Sequence, residues 1–136
     1  NPKNPYLIEF YNVAVVKNTH LFKYNKYLNP TLYVFELEAL LPLSKMQENL
    51  IDSLANEADK IIKSKGFLKK RIPNYQVLLN LIEENDKYLA IKDLVEAWIK
   101  LFKEIKTYKF MDFKADNVMR RSDNSMVIID PFFNPD

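Results

Sequence analysis

Two short runs, Val118-Met119-Arg120-Arg121 and the apolar 126–129, flank the polar stretch Ser122-Asp123-Asn124-Ser125. Asp and Asn tolerate the positive φ angles of tight turns, so this pattern predicts a β-hairpin. A hairpin makes neighbours of whatever precedes and follows it. Here the flanks hold the most chemically loaded residues of the chain: Asp112, Lys114 and Asn117 before it, Asp130 after it. With Asp123-Asn124 as a two-residue loop, Asn117 faces Asp130 across the open end, Cβ atoms roughly 4.5–5.5 Å apart.

The order acid, cation, amide, acid suits phosphoryl transfer. Asn117 and Asp130 offer two oxygen ligands to one hard cation, and Mg²⁺ prefers such sparse sites, completed by water and phosphate oxygens. Asp112 can orient an attacking hydroxyl and accept its proton. Lys114 supplies a point charge for a γ-phosphate. Asp-x-x-x-x-Asn alone is a common chance pattern, and Asp130-Pro131 alone is turn chemistry. The interposed lysine, the apolar hairpin, its register and the helix before it together favour a site.

The rest of the composition narrows the class. At 136 residues and 48% hydrophobic content, one globular domain with a core is expected. Eight Tyr and nine Phe argue against disorder. A net charge of +2 is too small to point to nucleic acid or an anionic membrane, and Lys69-Lys70-Arg71 and Arg120-Arg121 each read as a solvated face or loop rather than a binding patch. No cysteine is present, which excludes disulfides and fits a reducing compartment. No apolar run approaches the roughly 20 residues of a membrane span, and residues 1–5 carry no signal pattern; a cytoplasmic location is expected. The single glycine, Gly66, leaves no glycine-rich phosphate loop within these residues.

Along the chain, residues 10–16 read as a strand, Asn18-Thr19 as a turn and residues 20–24 as a second strand. Residues 31–38 form the strongest strand pattern, expected to be buried on both faces at its centre, with Glu36 and Glu38 at its exit. Ser44-x-x-Gln47 is a capping box opening a helix whose stripe is Met46, Leu50, Leu54, Ala58 and Ile61, widened by Ile51 and Ile62. Gly66 supplies its stop. A shorter helix follows Pro73, with Val77, Leu78, Leu81 and Ile82 inward. A third runs over residues 87–108 on Ile91, Leu94, Val95, Trp98, Leu101, Phe102 and Ile105, so Trp98 reads as packing. His20 reads as structural, and Tyr6, Tyr11, Tyr24, Tyr27 and Tyr33 as sheet packing.

Asp112-Phe113-Lys114-Ala115-Asp116-Asn117 resembles, without gaps, the protein-kinase catalytic-loop pattern Asp-Leu-Lys-x-x-Asn, and Asp130 the metal-binding Asp of Asp-Phe-Gly. More closely, residues 111–131 resemble the kinase-like host-takeover proteins of short-tailed bacteriophages, which carry Asp-x-His-x-x-Asn-Ile-Met and Ile-Thr-Asp-Pro. Residues 32–38 are similar to kinase strand five entering the hinge. The resemblance implies an α+β, kinase-like fold, mainly the helical C-lobe, with strands in 1–38 leading to the hinge and the C-lobe in 39–136. It implies that Phe35 is the gatekeeper, that the Glu36 and Glu38 backbones meet adenine, and that ATP and Mg²⁺ are cofactors. Asp112 and Lys114 would be catalytic, Lys114 and Asn117 would hold the nucleotide, and Asn117 and Asp130 the metal.

Phe110 and Met111 stand where the family has His and Arg, and Pro131-Phe132 where it has Phe-Gly. The family's glycine-rich loop, strand-three Lys and Glu-bearing helix would lie before Asn1. The implied activity is transfer of the ATP γ-phosphate to Ser or Thr of host proteins. Two alternatives differ in class: a non-catalytic kinase-like module that binds and inhibits a host protein, and a small-molecule phosphotransferase.

Overall fold

Ser44 and Gln47 form the expected reciprocal cap. The Ser44 N–H donates to Gln47 Oε1 at 3.0 Å and the Gln47 N–H to Ser44 Oγ at 3.2 Å. Two of the donors that a helix start leaves orphaned are thereby satisfied. Helix α1 spans Lys45–Lys65. Its stripe forms with one exception: Ile51, Leu54 and Ala58 are buried, whereas Met46, in the first turn, is 71% exposed and faces away. Burying Ile51 and Leu54 contributes about 1.5–3 kcal/mol each.

The computed structural model describes residues 4–17, 31–65, 74–105, 110–130 and 132–133. Gly66, Lys69-Lys70-Arg71, the turn at Asn18-Thr19 and the strand expected over 20–24, with His20, Tyr24 and Tyr27, lie outside them. The architecture is α+β.

Helix α2, Asn74–Glu84, buries Val77, Leu78, Leu81 and Ile82 as its spacing predicts. The expected third helix is split. Asn85 is extended (φ −132°), a 3-10 turn covers Asp86–Ile91, and helix α3 begins only at Lys92, ending at Glu104. In a 3-10 turn residues i and i+3 eclipse. That geometry points Tyr88 and Ile91 into the core together, with the Tyr88 hydroxyl bonded to Ser53 Oγ at 3.1 Å. Trp98 is fully buried and packs as expected.

Two units divide the chain, residues 8–39 forming one and 1–7 with 40–136 the other. The smaller is an antiparallel ribbon of β1, Phe10–Lys17, and β2, Thr31–Leu37, with a bulge at Tyr11. Val34 and Phe35 point to opposite faces and are 48% and 53% exposed, so the centre of β2 is not buried on both sides. Two strands by themselves bury little of either face.

The larger unit holds the helices and two small ribbons. Strand β3, Phe110–Met111, pairs with β6, Phe132–Phe133; β4, Val118–Arg120, pairs with β5, Met126–Ile128. Single bridges extend the second ribbon on both edges, from Leu41 to Arg120 and from Leu7 to Ile128. Arg121 is not a solvated charge: its guanidinium donates to the carbonyls of Pro5 at 2.6 Å and Leu7 at 3.2 Å, fastening that segment to the hairpin. Val118 and Ile128 join the core formed by α1, α2 and α3. No helix among the described residues is long and apolar enough to cross a membrane.

Candidate functional site

The hairpin turn is one residue longer than its Asp-Asn signal suggests. The Arg121 N–H donates to the Ser125 carbonyl at 2.9 Å and the Asn124 N–H to the Arg121 carbonyl at 3.0 Å. Asn124 takes the left-handed conformation, φ 71°. A three-residue loop closing on a left-handed residue is the next commonest hairpin after the two-residue form. Asp123 locks it: its carboxylate accepts from the Ser125 N–H at 2.9 Å and the Ser125 hydroxyl at 2.6 Å, bonds that hold its pKa below the usual carboxylate range.

The extra residue shifts the register. Val118 pairs with Ile128, and the Ile129 N–H donates to the Asn117 carbonyl at 2.8 Å. Asn117 therefore lies opposite Ile129, not opposite Asp130 as a two-residue loop requires. Asp130 reaches the same neighbourhood by another route. Because Met111 pairs with Phe132, the chain segments carrying Asp112 and Asp130 meet at one end of the β3–β6 ribbon.

The loop from Asp112 to Asn117 is held at three points. Phe113 stacks edge-on against buried Trp98, ring centroids 5.1 Å apart at 66°. The Ala115 N–H donates to Asp52 Oδ1 of α1 at 3.2 Å. Asn117, only 5% exposed and in a 3-10 turn over Ala115–Asn117, donates from Nδ2 to the Asp112 carbonyl at 2.7 Å. A carbonyl can only accept, so this bond fixes which way the amide points. Asn117 Oδ1 makes no hydrogen bond among the described residues and is not one of the fully buried polar atoms.

Asp112 and Lys114 form an ion pair at 3.6 Å, with side chains 30% and 50% exposed. The acid and the cation are thus beside each other and both open to solvent. Asp130 is exposed. Glu36 and Glu38 belong to the ribbon unit; the Glu38 N–H donates to the Glu9 carbonyl at 3.0 Å, and its carboxylate accepts from the Glu9 N–H at 3.0 Å. The Glu38 N–H is therefore already bonded inside the ribbon, and Glu36 pairs with Asn12.

Helix α1 runs beside the whole loop. Near its start Glu48, with Asp116, Met119 and Ile129, borders an open hollow of about 350 Å³. One turn on, Asp52 grips Ala115. Further along, Ala55, Asp59 and Ile62 face a separate cavity of about 190 Å³ whose other wall includes Asp112 and Phe113. Asp52 and Asp59 have no signal in the sequence that ties them to the loop, because the Ala115 N–H that Asp52 accepts and the Asp112 that shares the cavity with Asp59 lie more than fifty residues away. Among the described residues no three His, Cys, Asp or Glu side chains converge as a ready metal cluster. Compared with family models, curated proteins and solved structures, the chain matches none.

Proposed function

We propose that this loop is the catalytic centre of an ATP-dependent phosphotransferase of the protein-kinase type, with Ser or Thr hydroxyls of host proteins as the acceptor class. The observation that carries the reading is the buried Asn117 amide, bonded to the Asp112 carbonyl with Oδ1 left without a hydrogen bond. That arrangement couples the position of a metal ligand to the position of a base. Asn117 Oδ1 and the exposed Asp130 carboxylate fit Mg²⁺, which takes few protein ligands and completes its shell with water and phosphate. When bound, the ion neutralises charge on the phosphate oxygens.

The chain's own residues perform the rest. Asp112 orients the acceptor hydroxyl and takes its proton as the oxygen attacks the γ-phosphorus. The bond from that phosphorus to the bridging oxygen breaks, ADP departs with the electron pair, and the proton later leaves Asp112 for water. Lys114 accompanies the migrating phosphoryl group as a point charge and is held ready by its pairing with Asp112.

The test is transfer of labelled phosphate from ATP to acceptor protein by wild type, Asp112→Ala and Asp130→Ala. Loss of the base removes about 10²–10⁴-fold of rate. Full activity in both variants would refute the reading. Tight binding of a host protein with no transfer by wild type would replace it with the non-catalytic alternative.

A further inference from the structure

The 3-10 turn that carries Asn117 starts without a cap of its own. Lys114 holds the cap position in extended backbone, φ −158° and ψ 159°, and its side chain makes no capping bond. A lysine ammonium has no acceptor to offer there. Within the turn the Asn117 N–H donates to the Lys114 carbonyl at 3.2 Å, and the Val118 N–H to the Ala115 carbonyl. The first N–H groups of a helical turn find no partner inside it. Ala115 is only 6% exposed, so its N–H needs a partner from the protein rather than from solvent. Asp52 Oδ1 of α1 supplies it at 3.2 Å, from 63 positions earlier in the chain.

Asp52 stands on a well-fixed stretch of α1. Ile51 and Leu54 beside it are buried, and Ser53 is bonded to the Tyr88 hydroxyl at 3.1 Å. Nearer the start of the helix, Gln47 donates from Nε2 to the Asn124 carbonyl at 2.9 Å. Helix α1 therefore holds the tip of the β4–β5 hairpin and the turn that leads into it.

We infer that Asp52 is a positioning residue: it caps the 115–117 turn from α1 and thereby fixes where Asn117 presents Oδ1. The bond from Asn117 Nδ2 to the Asp112 carbonyl lies wholly inside the loop, so it sets these two residues relative to each other and not relative to the helices. Phe113 against Trp98 anchors the start of the loop; Asp52 anchors its end. The consequence for metal and transfer rests on the phosphotransferase reading, whereas the cap does not. Groups that orient a metal ligand without touching the metal typically carry about 10–100-fold of affinity or activity.

Three variants test this. Asp52→Ala deletes the acceptor. Asp52→Asn keeps an oxygen that can accept the Ala115 N–H. Ser44→Ala weakens α1 at its own cap and leaves the Asp52 bond in place. The first readout is hydrogen exchange at the Ala115 amide relative to that of Trp98, without metal or nucleotide. Asp52→Ala speeds it about tenfold or more, and the other two variants leave it near wild type. The second is MgCl₂ titration with ADP, followed on the Asn117 side-chain amide signals. Asp52→Ala raises the half-saturating Mg²⁺ concentration about tenfold, and Asp52→Asn restores most of the affinity. In phosphate transfer the same loss falls on kcat, while KM for the acceptor protein stays near wild type.

Unchanged Ala115 exchange in Asp52→Ala, equal losses in the Ala and Asn variants, or an equal loss of metal affinity in Ser44→Ala would overturn the inference. Faster Ala115 exchange in Asp52→Ala, with no Mg²⁺ binding at Asn117 and no transfer by wild type, leaves the cap standing and removes the phosphotransferase reading instead. Transfer by wild type that Asp52→Ala does not alter does the reverse.

Discussion

Replacing Asn117 by Asp exchanges one atom group and inverts one hydrogen bond. In wild type Nδ2 donates to the Asp112 carbonyl at 2.7 Å from a side chain only 5% exposed. In Asn117→Asp the introduced carboxylate, when ionised, presents an acceptor to that carbonyl, so the bond is lost and two oxygens face each other. Leaving a buried partner unsatisfied costs about 1–3 kcal/mol. Protonation restores a donor, so the folded state favours the neutral acid and raises its pKa above the ordinary value of about 3.9. The neighbouring acids Asp112, Asp116 and Asp130 push in the same direction, and Lys114 opposes them. A rise of one to two pKa units corresponds to about 1.4–2.7 kcal/mol.

The sign follows from linkage. A group whose folded pKa is raised contributes fully below its unfolded pKa and loses that contribution as pH climbs through the folded value. Asn117→Asp is therefore nearly as stable as wild type at pH 4 and about 1.5–3 kcal/mol less stable at pH 7. For a chain of this size that is a Tm deficit of roughly 5–15 °C. Asn117→Leu, of similar volume and without any donor, shows a deficit that does not change with pH. Thermal melting of the three proteins by circular dichroism from pH 4 to 8 measures both. Parallel curves for the Asp and Leu variants, or a wild-type Tm for Asn117→Asp at pH 7, would refute the account of the Asn117 amide.

Ser44→Ala removes the oxygen that accepts the Gln47 N–H. Stability should fall by about 0.5–2 kcal/mol, read as a lower urea midpoint at unchanged m-value; no shift in the midpoint would mean the cap is idle. The ion pair of Lys87 and Glu57, 2.8 Å apart, holds the Glu57 carboxyl below its usual range and the Lys87 ammonium above its own. The glutamate's contribution is present above about pH 4.3 and disappears as pH falls through its depressed folded value; the lysine's is present below about pH 10.4 and disappears above its raised one. Glu57→Gln should flatten both limbs of the Tm-versus-pH curve, less so in high salt, and a curve parallel to wild type would contradict that pairing.

What was readable along the chain is what depends on near neighbours. The capping box at Ser44 and Gln47, the apolar faces of α1 and α2, and the packing role of Trp98 are set by residues three or four apart, and each formed. The break before Lys92 was hidden, because a 3-10 turn serves Tyr88 and Ile91 at a spacing that an α-helix also permits. The hairpin itself was legible in Asp123-Asn124, but its loop length was not: Asn124 can take its left-handed conformation in a loop of either two or three residues. That single residue moved Asn117 from Asp130 to Ile129.

Only tertiary structure decided how the candidate site is assembled. Strands β3 and β6 are too short to carry a pattern, yet their pairing returns Asp130 to the side of Asp112. Asp52 and Asp59 gain their places because α1 packs along the loop, a contact made across more than fifty residues of sequence. The residue types of 112–130, which belong to the chain alone, set what chemistry the loop could perform. Where its side chains stand, and what kind of cavity opens beside Asp112, came from long-range pairing and packing, which no local spacing encodes.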